Sequence, residues 1–149
     1  MLRESSPRVL VVDDEFEMAA MIADELGDRG YRAVALKSGR EALLRLRREP
    51  YDALVTDLRM PEIDGLQLLR ISRHLDPSRP VIVMTGHGAI DTAIEADRQG
   101  AYHYLTKPFS LSTLVHLLDQ ALGGEAKPAS SAAPDSEDPG DKGGAPGAP

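Results

Sequence analysis

Asp13-Asp14 closes the apolar run Val9–Val12, Asp57 closes Ala53–Thr56, Thr85 closes Val81–Met84, and Lys107-Pro108 stands just past Ala101–Leu105. If these runs lie side by side, three carboxylates, one hydroxyl and one ammonium meet at a single edge. Carboxylates crowded into a partly buried site raise one another's pKa unless a cation sits among them, which points to a divalent metal. Ligation by oxygen alone favours Mg²⁺ or Mn²⁺ over zinc, and Mg²⁺ usually keeps waters and is completed by a substrate phosphate. Phosphoryl chemistry is the expectation. Taken singly, Asp13-Asp14 reads as a solvated turn or helix cap, Lys107 as a surface lysine and Thr85 as a strand-end hydroxyl. Joint placement at four strand ends is what argues for a site.

The elements that must position these residues are legible as alternating patterns. Val9–Val12, Tyr31–Leu36, Ala53–Thr56, Val81–Met84 and Ala101–Leu105 are five strand candidates, several rich in valine and bounded by Asp, Gly, Pro or Thr. Between and after them, apolar residues recur at helical spacing: Phe16 to Leu26, Ala42 to Leu46, Leu66 and Leu69, Ala89 to Ala96, and Leu111 to Leu122. Asp14, Ser38 with Glu41 three residues on, Asp64 and Ser110 are the expected helix caps, and Gly30 and Gly100 the expected stops. Strict alternation of strand and helix demands parallel pairing with right-handed crossovers, hence an α/β doubly wound five-stranded parallel sheet. In such a sheet, chemistry sits beyond the carboxyl ends of the strands, where strand order reverses.

Composition narrows the function classes. The chain has 149 residues and a net charge of −7, from 24 acids against 17 bases, which argues against phosphate-backbone binding and so against direct contact with nucleic acid. No cysteine is present, so disulfide frameworks and thiolate zinc sites are excluded. No apolar run approaches the roughly 18 to 20 residues that span a bilayer, and the opening MLRESSPR lacks the build of a signal peptide, so a cytoplasmic protein without membrane contact is expected. After Leu122 the composition changes: 20 of the 27 residues from Gly123 to Pro149 are Gly, Pro, Ala or Ser, with five acids and two lysines among the rest. Such a segment buries too little surface to offset its ordering entropy, so 1–6 reads as a short extension, 7–122 as one domain and 123–149 as a disordered tail.

Val11-Val12-Asp13-Asp14-Glu15, Asp57-Leu58-Arg59-Met60-Pro61 with Asp64-Gly65, Met84-Thr85-Gly86 and Lys107-Pro108-Phe109 together resemble the receiver domains of two-component response regulators, over residues 7 to 122. Thr85-Gly86-His87-Gly88 through Gly100–Leu105 resembles in particular the receivers that precede the ATPase domain of bacterial enhancer-binding transcription activators. The resemblance implies a flavodoxin-like (βα)5 fold. It implies that Asp57 accepts a phosphoryl group from a histidine kinase or histidine phosphotransfer protein, and that Asp13, Asp14, Asp57 and the backbone carbonyl of Arg59 hold Mg²⁺. It further implies that Thr85 and Lys107 contact the phosphoryl oxygens, that Tyr104 is the switch aromatic, and that Lys107-Pro108 is a cis peptide. A signalling phosphoacceptor of this kind is not an enzyme on other substrates, though it assists its own phosphorylation and dephosphorylation. Its output is a surface change on the fourth helix, fifth strand and fifth helix, read by a downstream protein or by a phosphorylation-dependent homodimer. In that family Arg59 and His87 occupy variable places that tune phosphate lifetime.

Rival readings rest on specific residues. A haloacid-dehalogenase-type phosphatase needs a second Asp two residues after its nucleophile, and Arg59 stands there. A phosphorylation-independent scaffold is usually marked by loss of an acid or the lysine, and none is lost. No DNA-binding helix pair or GxxxxGK[ST] loop follows position 122, so transcription control would require a longer chain of which this is an N-terminal fragment. Gly86, Gly88 and Asp91 make a weak dinucleotide fingerprint after the wrong strand, His74, His87, His103 and His116 lack paired ligand spacing, and Arg40, Arg45, Arg47 and Arg48 read as a solvated basic stripe.

Overall fold

The computed structural model describes residues 6–86 and 99–123. Five parallel strands, β1 (Arg8–Val12), β2 (Arg32–Leu36), β3 (Ala53–Asp57), β4 (Val81–Thr85) and β5 (His103–Thr106), lie in the order β2-β1-β3-β4-β5. Among the described residues four helices accompany them: α1 (Phe16–Asp28), α2 (Gly39–Arg48), α3 (Gly65–Leu75) and α4 (Leu111–Leu122). The stretch holding Ala89, Ala93 and Ala96, expected as a helix, lies outside the described residues. Strand order reverses between β1 and β3, so the crevice expected to carry chemistry opens beside Asp13 and Asp57.

Every residue of β3 and β4 is buried, as central strands covered on both faces must be, whereas the edge strand β2 is only half-buried throughout. The sheet separates two cores. Val9, Val11, Val55, Ile82 and Met84 pack with Ala19, Ile22 and Leu26 of α1 and Leu114 and Leu118 of α4. Leu10, Val12, Leu54, Val81 and Val83 pack with Ala42 and Leu46 of α2 and Leu68 and Leu69 of α3. The two-residue period of a strand sends alternate side chains to opposite cores, and each fully buried Leu or Val removed from water contributes about 1.5–3 kcal/mol.

Local signals set most boundaries. Ser38 Oγ accepts from Glu41 N at 3.1 Å at the start of α2, Ser110 Oγ accepts from Thr113 N at 3.1 Å at the start of α4, and Asp64 forms a reciprocal capping box with Gln67 on α3. Asp14 does not cap α1 as expected. Asp13 Oδ1 accepts from the Glu15 amide at 2.9 Å, Glu15 takes the cap position without a side-chain bond, and the Asp14 carboxylate stays exposed. β5 also starts later than its apolar run: Gly100, at φ 94°, turns the chain, and Ala101 and Tyr102 are buried ahead of the strand. At the opposite edge, buried Arg79 donates to Tyr51 O at 3.0 Å and Ser72 Oγ at 2.9 Å, which ties the entry of β4 to α3.

Gly65 fixes the approach of α3 to the reactive edge. A Cβ there would lie 2.3 Å from Asp57 O and 2.8 Å from Leu58 Cα, both backbone atoms that cannot swing aside. Gly65→Ala is expected to lower unfolding free energy by about 1–3 kcal/mol, read by urea denaturation, because overpacking must displace the β3–α3 connection. Unchanged stability would show that the loop is slack.

Candidate functional site

The backbone carries each site residue past the end of its strand by continuing the sheet. The amide of Asp13 donates to Leu36 O at 3.1 Å, that of Leu58 to Met84 O at 2.7 Å and that of Lys107 to Thr85 O at 2.6 Å. Asp13, Asp57 and Lys107 are thereby held by the ladder itself, which is stiffer than a free loop. Continuing the strand period puts these three on the parity of Val11, Val55 and Leu105, which line the core of α1 and α4. Thr85 and Tyr104 take the other parity, that of Val81 and Val83.

Lys107 Nζ lies 2.8 Å from Asp13 Oδ2 and 3.1 Å from Asp57 Oδ1, so one ammonium bridges the ends of β1 and β3 from beyond β5. Asp13 is fully buried, Asp57 is 7% exposed and Asp14 is exposed. The three acids can each offer a carboxylate oxygen within 4.8 Å of the others. Three carboxylates against one ammonium leave two negative charges at full ionisation, a set that fits one divalent cation keeping some of its waters.

Electrostatics follow from this crowding. Burial raises the Asp57 pKa above its ordinary value; Lys107 opposes the shift by hydrogen bonding, and Asp13 and Asp14 reinforce it. Burial works against the charge of Lys107, but hydrogen bonds and attraction to Asp13 and Asp57 outweigh it and its pKa is raised. Lys107 is therefore a fixed cation throughout the neutral range, while Asp57 holds its proton more readily than an ordinary aspartate.

Thr85 is buried, and its hydroxyl is hydrogen-bonded to that of Tyr104, which is half-buried. Burial pushes the Tyr104 phenol up, while Thr85 and the charge of Arg59 pull it back. Register explains the pairing: Tyr104 stands opposite Val83, two residues before Thr85 on the same face of β4. The sequence held this signal, but a family role for each residue separately does not show that they share a hydrogen bond before any phosphoryl group arrives. Arg59 is exposed and lines a cleft of about 270 Å³ with Leu58, Met60, Asp64 and Leu66. The Lys107–Pro108 peptide is cis, as expected. His87 lies outside the described residues.

A buried acid on the central strand, two acids beside it and a lysine clamped between them can hold a divalent cation and present a carboxylate nucleophile to phosphorus. Among the described residues, no helix is long and apolar enough to cross a membrane. Comparison with known proteins agrees with the geometry. Transcriptional regulatory protein GlrR of Escherichia coli (strain K12) is 40% identical over 114 residues, covering 76% of this chain and 26% of that protein. Response regulator protein FleR of Pseudomonas aeruginosa is 42% identical over 117 residues, covering 78% and 25%. The chain thus spans about a quarter of the length of the curated relatives it matches. Among solved structures, the Francisella response regulator 1452 receiver domain superimposes with a TM-score of 0.74 at 33% identity, over 79% of this chain and 98% of that one. The beryllofluoride-activated NtrC4 receiver domain dimer gives 0.74 at 36% identity, over 78% and 96%. The family model described as the response regulator receiver domain matches residues 9–119, nearly the whole of the sheet and its helices, and the chain belongs to that family.

Proposed function

We propose that the chain is a Mg²⁺-dependent phosphoacceptor, with its receiver spanning 7–122, that takes a phosphoryl group on Asp57 from a histidine kinase or a histidine phosphotransfer protein. The observation that carries this reading is the Lys107 ammonium, 2.8 Å from Asp13 and 3.1 Å from Asp57, beside a third carboxylate. Asp13, Asp14, Asp57 and the backbone carbonyl of Arg59 would hold the cation, which neutralises charge on the phosphoryl oxygens when bound. A carboxylate oxygen of Asp57 attacks phosphorus, the bond from phosphorus to the donor histidine nitrogen breaks, and an acyl phosphate results, with the imidazole leaving neutral because its ring carries or takes up one proton from solvent. Lys107 keeps its charge and moves from pairing with the carboxylate to pairing with the phosphoryl group. The same cluster, with water as the nucleophile at phosphorus, returns Asp57 to its starting state.

Thr85 supplies the link to a partner surface. Its hydroxyl serves Tyr104 in the unmodified chain, and a phosphoryl oxygen competes for it after transfer. A hydrogen bond to a charged group is worth about 1.5–3 kcal/mol net, enough to change a two-state ratio roughly ten- to more than a hundred-fold. Release of Tyr104 then alters the face made by β5 and α4, where a downstream protein or a second phosphorylated copy would bind. Because relatives matched over their receiver are named as transcriptional regulatory proteins, transcription control is the output we favour for the system in which this receiver acts.

Acetyl phosphate with Mg²⁺ is expected to modify Asp57 alone, as mapped by mass spectrometry; incorporation that survives Asp57→Ala, or proceeds fully in excess chelator, overturns the assignment. Lys107→Ala should slow this reaction about 100-fold, as loss of a preorganised charge at a phosphoryl oxygen does. Thr85→Ala should still accept phosphate yet fail to shift the amide resonances of β5 on addition of beryllofluoride, and a full wild-type shift pattern would remove Thr85 from the switch.

The raised pKa of Asp57 also sets a pH dependence. The ionised carboxylate is the nucleophile, so the modification rate falls as pH drops through that pKa, at a value above the 3.8 of an ordinary aspartate. Added Mg²⁺ favours the ionised form and should move the midpoint down. Carbon NMR of the Asp57 carboxyl reads both midpoints, and a cation-free value at or below 3.8 would contradict the burial argument.

A further inference from the structure

α1 and α2 cover opposite faces of the sheet, α1 over the core of Val9 and Val11 and α2 over that of Leu10 and Val12. Each turns a stripe of exposed residues away from its core. On α1 the stripe is Glu17, Met21 and Asp24, with Asp28 a turn further on; on α2 it is Arg40, Leu44 and Arg47, with Arg48 beside it. Both run i, i+4, i+7, so the flanking charges stand about 6 Å and 4.5 Å along the axis from the central apolar residue in each case. Met21 is 49% exposed and Leu44 50%, two of the few large apolar side chains so exposed among the described residues. α1 has acids at Glu17, Asp24, Glu25 and Asp28 and no base, whereas α2 sets four arginines against Glu41. Arg45 is engaged by Glu49 and Tyr51, but among the described residues no ion pair engages Glu17, Asp24, Asp28, Arg40, Arg47 or Arg48.

We propose that these stripes are the two halves of a contact between copies of this chain, with Met21 of one copy against Leu44 of the next and Glu17 and Asp24 against Arg40 and Arg47. Sign, spacing and apolar centre match between two helices of one sequence, which favours a second copy over an unrelated partner. Because the stripes lie on opposite faces of the sheet, one molecule cannot join its own. Each contact leaves one α1 and one α2 open, so copies add head to tail and do not close as a dimer. A single helix laid on another buries well under the roughly 800 Å² per partner of a stable complex, so the association is weak and depends on ionic strength. It needs no phosphoryl group, which separates it from the acceptor chemistry of Asp57.

Sedimentation velocity of the 149-residue chain without any phosphodonor tests this. The weight-average mass should climb past that of a dimer as protein concentration rises at about 0.01 M salt, and fall back to monomer at about 1 M salt, where the Debye length is near 3 Å. Arg40→Glu with Arg47→Glu should abolish the rise, as should Glu17→Arg with Asp24→Arg, while an equimolar mixture of the two variants should regain it through the swapped charges. Met21→Gln, a single change at an exposed position, should weaken it independently of charge. A monomer at every concentration, a rise indifferent to salt, or an inert mixture of two variants that keep wild-type far-UV circular dichroism overturns the proposal. Loss of the rise on removing residues 124–149 from the unaltered chain also overturns it, since the partner surface would then be the tail.

Discussion

Three carboxylates at one end of a sheet repel each other, and the fold is arranged around containing that repulsion. Lys107 reaches from beyond β5 to touch Asp13 and Asp57, the only one of the cluster's charges that attracts the rest. Its backbone is pinned by Thr85 O, and Asp13 is pinned by Leu36 O, so neither charge can drift away to relieve the strain of proximity. The ladder holds the acids together because parallel pairing extends past the strand ends. Remaining negative charge is left for a divalent cation and then for chemistry.

The two cores give the site a division of labour. Asp13, Asp57 and Lys107 share strand parity with the core beneath α1 and α4, while Thr85 and Tyr104 share parity with the core beneath α2 and α3. The acid cluster and the hydroxyl pair therefore rest on different packed layers although they lie at the same edge. A change that loosens one layer need not disturb the other, because the sheet between them has fully buried central strands.

Much of this was legible in the sequence because parallel strands and their helices announce themselves by different periods. The valine runs fix the strands, Ser38, Asp64 and Ser110 fix three helix starts, and counting residues past each run brings the acids and the lysine to one edge. Asp14 suits a cap by residue type, but the Asp13 carboxylate accepts the Glu15 amide instead, a competition that residue type alone does not decide. The Ala101-Tyr102 pair has the apolar character of a strand, but the turn at Gly100 buries it ahead of β5. The Thr85–Tyr104 bond depends on register between β4 and β5, which no local pattern specifies.

Tyr31, buried at the turn that precedes β2, donates its hydroxyl to Asp119 in the last turn of α4. Burial and that acceptor keep the phenol protonated well beyond neutral pH, so it remains a donor under ordinary conditions. It anchors the C-terminal end of a 12-residue helix whose other end begins four residues after Lys107. Whatever polypeptide leaves Gly123 thus starts from a fixed post about 18 Å along the helix from the charged edge. No cargo mounted there senses the acceptor by direct touch at its root. The post fixes only where that polypeptide begins, and a signal from the acceptor must cross the length of the helix to reach that point.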